Sequence, residues 1–278
     1  MKPKETINLY RVISLLVIAL VTFGVMGGLG AKSHLYPDEW LSMFFLTLIF
    51  LLVCMFELEY ERKQKGISAN TQTTFIRLSV TYTVSGGLIY AISYLPEFYR
   101  PVMIPVILLT AVSNSMVAVS FGLFFDLVLA LTVGGSFYAL AAYMMLTMLA
   151  AVLAQALKEK KYRMGVSLLT FFFSLMIPEL FSYLSTKEMQ KYSLLYAFGT
   201  AFLTFLTAAF LFHRLLHEAD QEIENHLLDI VSEDYSEVKA LKDFSMVEYR
   251  HAVKVSDIAC RCAKEVGYRA NLCLAGGF

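Results

Sequence analysis

The sequence predicts an all-α fold: a polytopic transmembrane helix bundle of about eight spans, followed by a partial cytoplasmic helical domain. Three observations lead there. Hydrophobic residues make up 58% of the 278 positions and charged residues only 17%, whereas a soluble domain carries about a quarter charged residues. The charges are also uneven: residues 9–212 are apolar and sparsely charged, and charges become dense from 213 onward. Within the apolar part, hydrophobic runs recur at the length of a bilayer-crossing helix, about 20 residues with a floor near 17. The formal net charge is zero, so the total says nothing about nucleic acid and no DNA or RNA partner is expected; the partner this composition requires is the lipid bilayer.

The runs lie at about 9–31, 41–58, 75–96, 101–117, 119–135, 136–157, 164–185 and 193–214. The first opens on Lys2, Lys4 and Arg11 and ends in small residues at Gly30-Ala31. It reads as an uncleaved helix, being long for a signal peptide; cleavage of residues 1–31 would leave seven spans. The second closes on Arg62, Lys63 and Lys65, and the third carries Gly86-Gly87. The fourth and fifth share a stretch too long for one untilted helix and short for two, since two helices of about 17 residues each just span ~26 Å. There Thr110, Ser113, Asn114 and Ser115 either mark a turn or lie inside a helix. The sixth closes on Lys158, Lys160, Lys161 and Arg163, the seventh contains Pro178-Glu179, and the eighth closes on Arg214.

Four segments follow from this: residues 1–40, a first helix and short outer loop; 41–214, the bundle; 215–242, an amphipathic connector; and 243–278, a polar helical tail. Cytoplasmic loops retain Lys and Arg. With eight spans the basic clusters all fall on one side, and the other side holds only Lys32, Arg100, Lys187 and Lys191. The expected location is therefore a multi-pass protein of the cell membrane with both its amino terminus and its tail in the cytoplasm.

Few polar residues interrupt the spans. Asp126, in FGLFFDLVLAL, costs about 2.5–3.5 kcal/mol at a span centre on insertion scales. It is either a ligand or proton site shared with Asn114 or an interfacial carboxylate beside a short turn, and the second reading is preferred. Pro178 can kink its helix and free a carbonyl, but the two halves show no matching interruption of the kind transporters use. Gly24-x-x-x-Gly28 and Gly86-Gly87 suit close helix packing. Tyr36, Trp40, Tyr94 and Tyr99 suit an interfacial aromatic belt.

In the connector, Leu215, Leu216, Ala219, Ile223, Leu227, Ile230 and Val231 recur every three to four residues, opposite a face of Asp and Glu. That is an amphipathic helix, able to pass on movement of the last span, form the seam of a homodimer, or pack as a lid. His213 and His217 stand i,i+4, but HRLLH lacks the glutamate of HExxH, so surface histidines are expected. Cys260-x-Cys262 lacks a second pair at zinc spacing and reads as small buried helix residues. A tail of this size is expected to pack poorly alone.

The order of several motifs resembles the bacterial seven-transmembrane HD-hydrolase family. Residues 101–163, with RPVMIPVILLTAV and the closing KEKKYR, look like its membrane core. Asn225-His226-Leu227-Leu228 is similar to the family's NHPLL without the proline, and Tyr249-Arg250-His251-Ala252 to its Y-H-H-S. Gly267 falls where the family has the glycine of AIGAN, and Ala275-Gly276-Gly277-Phe278 is similar to the approach to its His-Asp pair. The resemblance implies a membrane-anchored phosphodiesterase for cyclic di-AMP, working with a divalent Mn or Fe pair held by His and Asp. His251 matches the first metal ligand. By the family's spacing the His-Asp pair would follow Phe278, so the 278 residues supply one matched ligand, are expected to bind no metal pair, and are expected to be inactive by themselves. The alternative is a non-catalytic membrane sensor or scaffold with a degenerate HD remnant. The family's outer sensory domain is replaced here by nine residues.

Overall fold

The computed structural model describes residues 9–65, 72–133, 135–159, 161–188, 192–268 and 270–277. Lys2, Lys4, Lys160, Lys191 and Phe278 lie outside these, as do the side chains of Arg62, Lys65, Glu218, Ala219, Asp220, Glu222, Ile223, Glu224 and His226. The described elements are all helical. They form two compact units, Met1–Leu216 and His217–Phe278.

The first unit contains α1 (Leu9–Ser33), α2 (Pro37–Lys65), α3 (Gln72–Ile92), α4 (Met103–Val112), α5 (Ser115–Thr132), α6 (Phe137–Leu157), α7 (Arg163–Thr186) and α8 (Ser193–Leu206). A π-turn, Thr207–Leu211, leads from α8 into α9 (Phe212–Val231), which carries the chain across the unit boundary. Seven helices are long and apolar enough to cross a membrane. Side-chain placement is that of a lipid-embedded bundle. Large apolar residues such as Leu20, Leu52, Phe56 and Leu195 face outward, while Thr22, Ser85, Thr200, Thr204, Ala197 and Ala201 are buried between helices. Small and hydroxyl residues at the seams let helices approach closely, because hydrophobicity alone does not drive association in lipid.

The fourth predicted span is where sequence and structure differ. Instead of a helix over 101–117, the chain forms α4 of ten residues, about 15 Å long and half the ~30 Å hydrocarbon thickness. Every residue from Met103 to Ala111 is buried. The sequence MIPVILLTAV has no polar face to offer water, and a helix apolar all round belongs inside. Enclosed by α3, α5, α6 and the π-turn, α4 need not match lipid thickness, since irregular backbone at membrane depth is tolerated where protein covers it. The turn falls at Ser113–Asn114, both in extended conformation; Thr110 lies within α4 and donates to the Val106 carbonyl at 2.8 Å.

The chain direction nevertheless agrees with eight traverses. Lys32 Nζ donates to the Ser93 carbonyl at 3.0 Å, joining the end of α1 to the end of α3. Arg11 pairs with Glu59, joining the start of α1 to the end of α2. The Ser136 backbone N–H donates to Glu97 Oε1, so the loop before α4 and the loop after α5 share one end of the bundle. Between them α4 descends and α5 returns.

Glycines set the tightest approaches. A Cβ on Gly28 would lie 3.0 Å from Tyr90, and one on Gly86 2.8 Å from Val21, both across the α1–α3 seam. Gly24 and Gly87 meet nothing within 4 Å, so only half of each predicted pair is used for packing. Gly30, under Trp40 at 2.7 Å, and Gly122, 2.5 Å from Thr147, are tighter still. The aromatic belt also needs correction. Tyr36 and Tyr94 are exposed, but Tyr99 is buried and its hydroxyl donates to Glu179 at 3.4 Å. Pro178 sits within an unbroken α7.

In the second unit the connector is not one helix: α9 stops at Val231 and α10 (Ser236–Phe244) begins after a turn. Next come α11 (Met246–Val266) and α12 (Ala270–Gly277). Ser245 caps α11 by accepting from the Glu248 N–H at 3.3 Å, the first half of a capping box. Gly267, at φ 76°, closes α11 in the left-handed conformation that glycine adopts without strain. α12 then packs on α11, so closely that a Cβ on Gly277 would lie 2.9 Å from the Ser256 backbone. Few tail side chains are buried, among them Val238, Ser256, Cys260 and Ala263, and Phe244, Val247, Ile258 and Tyr268 are exposed. Cys260 is buried as expected, whereas Cys262 is exposed.

Candidate functional site

Two polar layers lie inside the bundle. The deeper one is built by residues four apart on facing helices, which share a helix face. On α5 these are Gly122 and Asp126; on α6, Tyr143 and Thr147. Thr147 Oγ1 donates to Asp126 Oδ2 at 2.7 Å. Asp126 is fully buried, and its Oδ1 has no hydrogen-bond partner among the described residues. Gly122 allows the contact, since a side chain there would collide with both Thr147 and Val106 of α4. One turn toward the Glu97 end, the Tyr143 hydroxyl donates to the Glu97 carbonyl. Arg100, buried to 4% exposure, donates to that hydroxyl through Nη1 at 3.1 Å and to the Leu95 carbonyl through Nε at 3.4 Å.

The second layer sits at the opposite end of the bundle. Glu57 and Glu61, i,i+4 on α2, meet hydroxyls of the α4–α5 region: Ser120 Oγ donates to Glu57 Oε1 at 2.8 Å and Ser113 Oγ to Glu61 Oε2 at 2.7 Å. Gln155 Nε2 donates to Ser115 Oγ at 2.7 Å, and Ser115 Oγ to Asn114 Oδ1 at 3.3 Å.

The predicted pairing of Asp126 with Asn114 is therefore not formed. Asn114 is the N-cap of α5, and twelve residues of helix separate it from Asp126, about 18 Å. Nor is Asp126 interfacial beside a turn; it sits in the middle of α5. Sequence reading missed Thr147, Arg100, Glu57 and Glu61. Arg100 reads in the sequence as a loop charge. Only the i,i+4 spacing of the two glutamates could have pointed to them.

His251 is exposed on α11. Among the described residues no three of His, Cys, Asp and Glu come close enough to hold a metal ion. The donor set present thus does not fit a bridged metal pair: an imidazole alone cannot fix two cations. His213 and His217 are both exposed.

The fold and these layers define a class, an all-α multi-pass membrane protein with polar residues packed inside its bundle. No family model, curated protein or solved structure matches the chain.

Proposed function

We propose that this chain belongs to a membrane-embedded signalling protein of the seven-transmembrane HD-hydrolase type, with its tail in the cytoplasm. The parent activity we propose is metal-dependent hydrolysis of a cyclic dinucleotide, cyclic di-AMP. The observation that carries the reading is the tail: a polar, wholly helical unit after the last span, in which His251 is exposed on α11 and Gly267 ends that helix. Those are two of the positions on which the motif resemblance rests. The cytoplasmic placement is supported by the basic clusters, which the eight-traverse path gathers at one end.

A second reading, a non-catalytic sensor or scaffold, is favoured by the absence among the described residues of any three His, Cys, Asp or Glu placed to hold a metal ion. One assay separates the two. The protein expressed from its natural reading frame is purified with manganese and given cyclic di-AMP. Hydrolysis is expected, and His251→Ala is expected to lower it by more than the roughly 10–100-fold that loss of an outer-shell metal partner costs. Absence of hydrolysis, or hydrolysis indifferent to His251→Ala, would establish the second reading instead. Residues 1–278 prepared alone are expected to give no turnover.

A further inference from the structure

Near the start of α1 and the end of α2, a cavity of about 310 Å³ lies between α1, α2 and α3, closed inside by Val112 and Ser113 at the end of α4. Its volume is in the range of small-ligand sites, and its composition is typical of them: an apolar wall with a few convergent polar groups. Leu15, Leu58 and Leu78 supply the wall. Arg11, Glu59 and Glu61 supply charge, with Glu61 buried to 8% exposure and Arg11 paired to Glu59. Met55, exposed at 37%, marks the mouth on the outer surface of α2.

We propose that this cavity binds a phospholipid of the surrounding bilayer whose head group bears a primary ammonium. The cavity opens where spans end, at the depth where acyl chains meet head groups. Its apolar wall suits the upper part of an acyl chain. Glu61, whose Oε2 accepts from Ser113 at 2.7 Å, keeps further lone pairs for an ammonium that can donate hydrogen bonds, and charge-assisted bonds of that kind are the strong ones. A guanidinium has five N–H donors, more than one carboxylate takes, which suits Arg11 to the adjoining phosphate. A quaternary ammonium has no N–H to give Glu61, and an anionic glycerol head has no cation, so the site distinguishes among bilayer lipids.

The test is native mass spectrometry of the full chain, delipidated in detergent and incubated in turn with dioleoyl phosphatidylethanolamine, phosphatidylcholine, phosphatidylglycerol and hexadecylamine. Phosphatidylethanolamine is expected to be retained roughly tenfold better than the other two phospholipids, the ratio that one charge-assisted hydrogen bond supports. Glu61→Gln is expected to bring the ethanolamine-to-choline ratio close to one. Leu58→Trp, which fills the cavity, is expected to abolish the preference, while Leu195→Trp, on the outward face of α8, leaves it intact. Variants are compared only if they keep the wild-type thermal transition; if neither folds, the wild-type ratios decide. Equal retention of the three phospholipids overturns the proposal, as does a preference that survives Leu58→Trp. Retention of hexadecylamine without phosphatidylethanolamine overturns the lipid as occupant. None of these outcomes depends on the phosphodiesterase reading.

Discussion

Asp126 places one carboxyl oxygen on Thr147 and the other where no described residue meets it, so Thr147 bears the whole cost of keeping a carboxyl in the centre of the bundle. A buried polar group that loses its partner costs its desolvation, about 1–3 kcal/mol, whereas replacing both partners with apolar groups of similar shape can be neutral. Thr147→Val is therefore expected to destabilise the bundle by about 1–3 kcal/mol, and the double change Asp126→Leu with Thr147→Val to recover most of it. Reversible unfolding in mixed micelles measures both. A double variant no better than Thr147→Val would show that Asp126 is not held by this bond alone. Asp126 was visible in the sequence because a lone carboxylate in an apolar run is conspicuous. Thr147 was not, because threonine is common inside spans and nothing in the order of residues says which of them faces α5.

Among the elements, α4 shows why helix length was harder to read than helix presence. Its run of apolar residues is continuous with that of α5, and the turn at Ser113–Asn114 has no glycine or proline to announce it. What makes a ten-residue helix workable is its enclosure, and the enclosure depends on Gly122. A methyl group there would sit 2.5 Å from Thr147 and 2.8 Å from Val106. Gly122→Ala is thus expected to cost about 1–3 kcal/mol by overpacking. Gly24→Ala, with nothing within 4 Å, is expected to be neutral or slightly stabilising, because alanine favours a helix interior by roughly 1 kcal/mol over glycine. The same unfolding measurement ranks the two, and equal effects would mean that α4 is loosely held. In the tail, the corner between α10 and α11 is tied by Lys242 and Tyr249 to Glu233, at 2.8 and 3.2 Å. The hydrogen bond from Lys242, then its charge, holds the Glu233 carboxyl below its ordinary 4.5, and the same bond raises Lys242 above 10.5. A lowered carboxyl contributes above its unfolded value and loses that contribution as pH falls through the folded one. A raised amine contributes below its unfolded value and loses it as pH rises through the folded one. Both groups are exposed, so the effect is small. Hydrogen exchange at the start of α11 is expected to be unchanged between pH 5 and pH 10, once corrected for intrinsic rates, and to rise below pH 4.5. Lys242→Gln is expected to remove that acid dependence.

At the scale of the whole molecule, composition and the spacing of apolar runs were enough for an all-α membrane bundle followed by a polar helical tail. They could not say whether 101–135 crosses once or twice, because α4 escapes the length rule on which counting rests. The answer changes the side on which the last span ends: seven crossings would separate the start of α1 from the end of α8, and eight bring them together. The bond between Glu97 and Ser136 favours eight, since it ties the loop before α4 to the loop after α5. Cysteine accessibility in cells tests this directly. The native cysteines comprise Cys54 and Cys260, which are buried, Cys273, which is partly so, and Cys262, exposed in the tail. With the tail in the cytoplasm, a membrane-impermeant maleimide is expected to leave wild-type protein unlabelled in intact cells and to label Cys262 after permeabilisation. Tyr94→Cys, exposed in the loop before α4, and Phe137→Cys, exposed at the start of α6, are both expected to react in intact cells, because the traverse through α4 and back through α5 returns the chain to the side it left. Labelling of Tyr94→Cys without Phe137→Cys would mean that α4 and α5 together cross once. That result would put the end of α8 with Arg214, together with the cluster Lys158–Arg163, opposite the basic residues at the start of α1 and the end of α2, and the tail outside the cytoplasm.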